Sequence, residues 1–152
     1  MKLTSELVMV RKAEIKELPI LAELACRLWP DHTVVEMQET IGAILAQADA
    51  TFFLAYDGEK AIGFAQCQLR HDYVEGTDSS PVGYLEGIYV ADGYRKIGVA
   101  RKLLATCEGW AKSKGCTEFA SDCELDNVQS LQFHLNVEFE EANRIICFTK
   151  KL

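Results

Sequence analysis

Tyr84-Leu85-Glu86-Gly87-Ile88-Tyr89-Val90, then Tyr94-Arg95-Lys96-Ile97-Gly98-Val99-Ala100-Arg101, is the stretch on which the architecture turns. The first part lies in a mostly apolar run, Val82 to Val90, that reads as a strand. The second opens a helix expected from about Gly98 to Lys114. Val99, Leu103, Leu104, Cys107, Trp110 and Ala111 recur there at a spacing of about 3.6. Gly115 supplies the glycine that commonly follows a helix end. A helix N-terminus carries unpaired N–H groups and the positive end of the macrodipole. Glycine lets an anion approach the backbone, and Arg95 and Lys96 add positive charge. The run Arg95-Lys96-Ile97-Gly98-Val99-Ala100 therefore reads either as a pyrophosphate cradle or as a plain helix start with two surface cations. It is neither G-x-x-x-x-G-K-[ST] nor G-x-G-x-x-G, which excludes a P-loop and a dinucleotide fingerprint.

Working outward, Leu7 to Arg11 reads as a first strand and Ile15 to Leu28 as a helix ending at Trp29-Pro30. A second helix is expected over Val34–Gln47. Thr51–Tyr56 and Ala61–Arg70 are strands joined at the turn signal Asp57-Gly58. His71 to Pro81 is polar and reads as a loop. After the central helix come a strand at Thr117–Ser121 and a short helix at Asn127–Leu135. One long strand or a hairpin is expected over Phe139–Lys150. The order β-α-α-β-β-β-α-β-α-β predicts a mixed α/β (α+β) sheet in one domain spanning 1–152.

The 152 residues suit one domain with a substantial core. No apolar run approaches the roughly 18 residues of a membrane span, and the N-terminus lacks the pattern of a signal peptide. The six cysteines form no C-x-x-C pair and read as free thiols in a reducing, cytoplasmic setting. The three histidines show no ligand spacing with them, so no metal is expected. A net charge of −7 argues against nucleic acid as the partner. It suits a cationic small molecule, which an acidic cleft concentrates.

Arg95-x-x-Gly98-x-Ala100, after a strand and opening a helix, resembles the acetyl-CoA motif [QR]-x-x-G-x-[GA] of the GNAT N-acetyltransferases. The element order is similar over nearly the whole chain. Further segments resemble the chromosomal, dimeric aminoglycoside 6′-N-acetyltransferases, in the same order along the chain. These are Leu28-Trp29-Pro30, Arg70-His71-Asp72-Tyr73-Val74-Glu75-Gly76, Ser79-Ser80-Pro81-Val82, Leu85-Glu86-Gly87-Ile88-Tyr89-Val90 and Ala120-Ser121-Asp122.

That resemblance implies a mostly antiparallel mixed sheet, flanked by helices, whose central strands splay to admit acetyl-CoA. Backbone groups of Ile88, Tyr89 and Val90, the run from Arg95 through Lys96, Ile97, Gly98 and Val99 to Ala100, and Asn127 would bind the cofactor. Trp29, Tyr73, Glu86 and Asp122 would receive an aminoglycoside. A homodimer is implied as well.

The attacking amine must be neutral, whereas a free alkylammonium has a pKa of about 10. A carboxylate serves both to bind the cation and to take its proton. Glu86, inside an otherwise apolar strand, and Asp122, at the end of the partner strand, are the catalytic candidates; Glu86 has the stronger claim as base, directly or through water, and Asp122 reads as a substrate contact or as a cap of the loop before the next helix. His134 stands where many of these enzymes carry a tyrosine general acid. The family's Leu-Gly-Phe turn is Val137-Glu138-Phe139 here, so a residue with a Cβ must take it. An acidic residue of the family is replaced by Asn143. Two other readings stay open at this stage: a GNAT enzyme acting on another amine, such as a polyamine, an amino sugar or a protein N-terminus, and an acetyl-CoA-binding module with weak catalysis.

Overall fold

The computed structural model describes residues 3–152. In chain order the regular elements are β1 (Val8–Lys12), α1 (Leu18–Leu28), α2 (Val34–Leu45), β2 (Ala50–Asp57), β3 (Lys60–Arg70), β4 (Val82–Val90), α3 (Val99–Ser113), β5 (Phe119–Ser121) and α4 (Val128–Asn136). Short 3-10 turns at Ser5–Leu7 and Ile15–Glu17 precede β1 and α1. The sheet order is β1-β2-β3-β4-β5. Neighbours run antiparallel except β4 and β5, which are parallel. A parallel pair needs a crossover, and α3 supplies it.

Helices cover both faces of the sheet, and β2 shows why. Its side chains alternate: Phe52 and Leu54 pack with Leu21, Ala25 and Ile41 of α1 and α2, while Phe53 and Ala55 pack with Leu103 and Cys107 of α3. Phe52, Phe64, Leu21, Ile41 and Leu103 are fully buried. Each contributes about 1.5–3 kcal/mol of apolar burial.

A polar lock joins the first strands to α1. Glu17 is buried, yet every bond its carboxylate needs is present. Oε1 accepts from Arg11 Nη1 and from the Glu14 N–H, both at 2.9 Å. Oε2 accepts from the Tyr56 hydroxyl and pairs with Arg11 Nη2 at 2.8 Å. Such pairing is what allows a carboxylate to be buried at all.

The C-terminal expectation is corrected. Phe139–Lys150 forms neither a long strand nor a hairpin within the chain. Residues 140–152 are exposed, including Ile145, Ile146 and Phe148. Alternation in sequence signals a face to be buried, but a ladder also needs a free edge at the right place. The turn before this segment is as expected. Glu138 adopts φ +74°, with its N–H on the Leu135 carbonyl at 3.2 Å and that of Phe139 on the His134 carbonyl at 3.0 Å. A left-handed residue closes α4, at a cost of roughly 1–2 kcal/mol when it carries a Cβ.

Candidate active site

The strands part where the sequence placed the splay. β5 pairs only with Gly83, Tyr84 and Leu85, through Phe119, Ala120 and Ser121. β4 continues to Val90 with β3 alone beside it. Alternate backbone groups of Glu86–Val90 therefore face an open gap. Ser121 closes its apex: Oγ lies 3.2 Å from the Leu85 carbonyl and 2.8 Å from His134 Nε2. His134 Nδ1 donates to the Ser130 carbonyl at 2.7 Å. The His134 ring also lies against Phe133 and Phe139.

At the start of the gap the ladder carries an extra residue. Gln66 pairs with Gly87 and Cys67 with Leu85, so Glu86 has no partner on β3. A β-bulge of this kind re-aims a side chain. It directs Glu86 to Arg70, whose Nε and Nη2 each donate to one carboxylate oxygen at 2.9 Å. The Arg70 guanidinium lies 3.4 Å above the centroid of the Tyr84 ring. The Tyr84 hydroxyl donates to Asp122 Oδ2. Both candidate carboxylates thus belong to one cluster. Burial raises the Glu86 carboxyl above its ordinary range; the Arg70 bonds and charge oppose that rise and the Asp122 charge adds to it. Burial, with Asp122 as acceptor, pushes the Tyr84 phenol well above its ordinary value.

The basic turn sits at the far end of β4. Lys96 has φ +64° and Gly98 φ +92°. The first bond of α3 runs from the Lys102 N–H to the Gly98 carbonyl at 3.0 Å, so the N–H groups of Val99, Ala100 and Arg101 lie beyond the helix's own ladder. Among the described residues no side chain caps them. Arg95 is moored to the strand end, its Nε on the Val90 carbonyl at 2.9 Å and its Nη1 3.2 Å from Asp92 Oδ1. Val99 and Ile97 anchor the turn in the core. Asn127 caps α4, its Oδ1 accepting from the Ser130 N–H at 3.0 Å.

On the amine side, Trp29 ends α1 and its ring lies over Gly87, next to Glu86. Tyr73 is not brought to it. It projects from the 71–81 loop 75% exposed and joins no aromatic pair among the described residues. The loop is fastened beneath by buried Val74 and across to the C-terminal segment, where Asn143 Nδ2 donates to Glu75 Oε1 at 2.9 Å.

Arg70 and Tyr84 are members of this cluster that the sequence reading left without a role. A signal for them existed. Arg70 ends β3 on the sheet face that Tyr84 occupies, a placement for two polar groups that calls for a partner.

β4 and β5 thus open a gap that has the N-terminal turn of α3 at one end and two clustered carboxylates at the other. Residues 18–139 match the acetyltransferase (GNAT) family, and the chain belongs to it. It is 44% identical over 130 residues to an aminoglycoside N(6′)-acetyltransferase type 1 of Acinetobacter haemolyticus, covering 86% of this chain and 89% of that one. The solved structure of the aminoglycoside N-acetyltransferase AAC(6′)-Iy in complex with CoA superposes with a TM-score of 0.93 at 38% identity, covering 95% of each chain. A second structure of AAC(6′)-Iy, in complex with the bisubstrate analogue CoA-S-monomethyl-acetylneamine, gives 0.91 at 38% identity, covering 95% of this chain and 99% of that one.

Proposed function

We propose that this chain is an acetyl-CoA-dependent aminoglycoside 6′-N-acetyltransferase, one catalytic unit over residues 1–152, that confers antibiotic resistance. The observation that carries the reading is the pair of carboxylates, Glu86 and Asp122, clustered where the strand gap opens beside Trp29. The relatives named above supply the substrate class.

The residues present fit the cofactor. The turn from Arg95 to Ala100 offers N–H groups and positive charge to a pyrophosphate. The gap along Ile88, Tyr89 and Val90 offers backbone partners to an extended pantetheine arm, and the Nδ2 of Asn127 donates to no other group among the described residues. When bound, acetyl-CoA supplies an acetyl group already activated as a thioester for direct attack by an amine. The chain's own residues do the rest. Glu86 and Asp122 bind the ammonium and remove its proton, and a β4 N–H in the gap polarises the acyl carbonyl. Trp29 gives a sugar ring an apolar face. No cysteine is needed as nucleophile. The hydrogen bond with Cys67, together with burial, pushes the Cys107 thiol far above its ordinary value.

The protein acts as a cytoplasmic homodimer on this reading. All six cysteines are free, which suits a reducing compartment. Among the described residues no helix is long and apolar enough to cross a membrane. The exposed Ile145, Ile146 and Phe148 suit a subunit contact.

The test is thiol release from acetyl-CoA with kanamycin or tobramycin, beside spermidine and a blank without acceptor. Release with the aminoglycosides alone is expected. Release with spermidine alone would move the substrate to another amine. Cofactor-dependent thermal stabilisation without release would mark a binding module.

A further inference from the structure

The Glu86 carboxylate has one hydrogen-bonding partner among the described residues, the Arg70 guanidinium. A long side chain on a bulge at the edge of a gap would otherwise sample several rotamers. The two parallel bonds of 2.9 Å fix the plane of the carboxylate as well as its position. Arg70 is fixed in turn by its stack on Tyr84, which is buried. Tyr84 holds Asp122 through its hydroxyl. The chain of contacts Glu86–Arg70–Tyr84–Asp122 therefore sets the two carboxylates relative to each other across β3, β4 and the end of β5.

The two carboxylates are not equivalent. Both oxygens of Glu86 are engaged by the fork, whereas Asp122 accepts at Oδ2 and its Oδ1 has no partner among the described residues. With one cation and two anions the cluster has one negative charge left over, which suits a single ammonium group.

We propose that Arg70 is a positioning residue for amine transfer: it acts through Glu86, holding that carboxylate as an oriented, fixed anion, and leaves the proton of the amine to Asp122. The inference deepens the aminoglycoside acetyltransferase reading and rests on it. Glu86 then binds and aims the ammonium. Asp122 Oδ1 first takes one proton from the ammonium, which frees the nitrogen lone pair; that pair forms the new C–N bond as the C–S bond breaks, the second proton on nitrogen passes through solvent to the departing thiolate, and Asp122 returns its own proton to solvent. The groups whose charge bears on Glu86 are Arg70 from β3, Asp122 beyond β5, and Tyr84 on its own strand. Trp29 from α1 brings no titratable group.

The experiment compares wild type, Arg70→Gln and Arg70→Lys by kcat and KM for tobramycin and for acetyl-CoA across pH. It also follows Glu86 by carboxyl-carbon NMR titration in acceptor-free protein. Arg70→Gln is expected to lower kcat/KM for tobramycin about tenfold or more, a loss in keeping with two charged hydrogen bonds. The acid limb of that profile should move upward, because a cation beside a carboxylate has been removed. The KM for acetyl-CoA should stay unchanged. Arg70→Lys keeps the charge and loses the fork, so its acid limb should stay near that of wild type while kcat falls. An unmoved acid limb in Arg70→Gln, or equal losses toward both substrates, would overturn the proposal. Wild type that turns over no aminoglycoside would sink the substrate reading instead. The NMR midpoint of Glu86 then decides separately, since an unmoved midpoint in Arg70→Gln removes Arg70's hold on that carboxylate.

Discussion

The ring of Trp29 fills the space that a side chain at Gly87 would need: a Cβ built there lies 2.6 Å from Trp29 Cζ2 and 2.7 Å from Cη2. Glycine at 87 is therefore a packing requirement, and it seats the Trp29 ring, the proposed aromatic wall for the amine, beside Glu86. Gly87→Ala is expected to push the ring away. Overpacking of this sort costs about 1–3 kcal/mol, and each kcal/mol lowers the melting point by roughly 2–4 °C at this chain length. The KM for the aminoglycoside should rise more than that for acetyl-CoA. A variant with wild-type melting and an unchanged amine KM would show that Trp29 relaxes without consequence.

Gly98 supports a second prediction, on the cofactor side. Its φ of +92° is strained for any residue with a Cβ, and that Cβ would also meet Ser5 Oγ at 3.2 Å. Gly98→Ala should cost about 1 kcal/mol of stability. It should raise the KM for acetyl-CoA, because the N–H groups at the start of α3 lose their aim. Arg95→Ala should raise the same KM without a comparable loss of stability, since half of that side chain is in water. Isothermal titration with CoA separates the two effects. Unaltered CoA affinity in both variants would remove this turn from the cofactor site.

Much of this was legible in the sequence, for physical reasons. β4 could be read from Val82 to Val90 because an apolar run bounded by a proline and by Ala91-Asp92-Gly93 has few other solutions. α3 could be read because its buried positions repeat at helical spacing and Gly115, at φ +90°, stops it. Glu86 and Asp122 stood out as charges at strand positions. What was not legible is pairing. Nothing local says that β4 inserts one extra residue at Glu86, because the bulge is a property of two strands. The fork from Arg70 follows from that register, as does the bond from Tyr84 to Asp122. The C-terminal segment failed for the same reason, since its alternation does not reveal which edge, if any, receives it. Tyr73 had a place by resemblance, but its position depends on a loop whose course no periodicity encodes.

A third prediction concerns pH and the lock at Glu17. Burial pushes this carboxyl up, but the bonds from Tyr56, the Glu14 N–H and Arg11 outweigh it and hold it below its ordinary value of 4.5. A carboxylate depressed in the folded state contributes stability that is present above the unfolded value and lost as pH falls through the folded one. Tyr56 runs the other way: burial and the bond to Glu17 push it from 10.0 up to about 12. Its contribution is complete below pH 10 and lost as pH rises toward 12. Urea melts should therefore show stability falling below about pH 4.5 and again above about pH 9, where the raised Cys107 and Cys116 thiols begin the loss and Tyr56 adds to it above about pH 10. Tyr56→Phe should lower stability at neutral pH by about 1–3 kcal/mol, the cost of one unmet bond at a buried carboxylate. It should also make the alkaline fall shallower, with Tyr84, Tyr94 and the Cys107 and Cys116 thiols left to supply the rest. An alkaline limb identical to that of wild type would show that Tyr56 ionises as easily in the folded chain as in the unfolded one.

The C-terminal segment gives a fourth. Residues 140–152 make no ladder with their own chain and expose Ile145, Ile146 and Phe148. If these side chains serve a subunit contact, removal of 140–152 should leave a folded monomer where light scattering of the full chain finds a dimer. Asn143 holds Glu75 of the 71–81 loop, so the truncated protein should also bind aminoglycoside more weakly. A full-length monomer in solution would end the dimer reading.

The sharpest separation of roles comes from the two carboxylates. Glu86→Gln keeps the shape of the side chain but removes the anion that Arg70 holds, so the KM for the aminoglycoside should rise while the pH profile of kcat keeps its form. Asp122→Asn removes the proposed proton acceptor. At neutral pH kcat should fall by roughly 10²-fold, the ordinary contribution of a positioned base. That deficit should shrink as pH rises toward 10, where the free ammonium, with a pKa of about 10, begins to lose its proton without help. Rapid measurement of thiol release between pH 6 and 9.5 with saturating acetyl-CoA resolves the two. A deficit in Asp122→Asn that stays constant across this range would mean that Asp122 orients the amine and does not receive its proton. The recovery appearing instead in Glu86→Gln would assign the base to Glu86, with Arg70 releasing it during turnover.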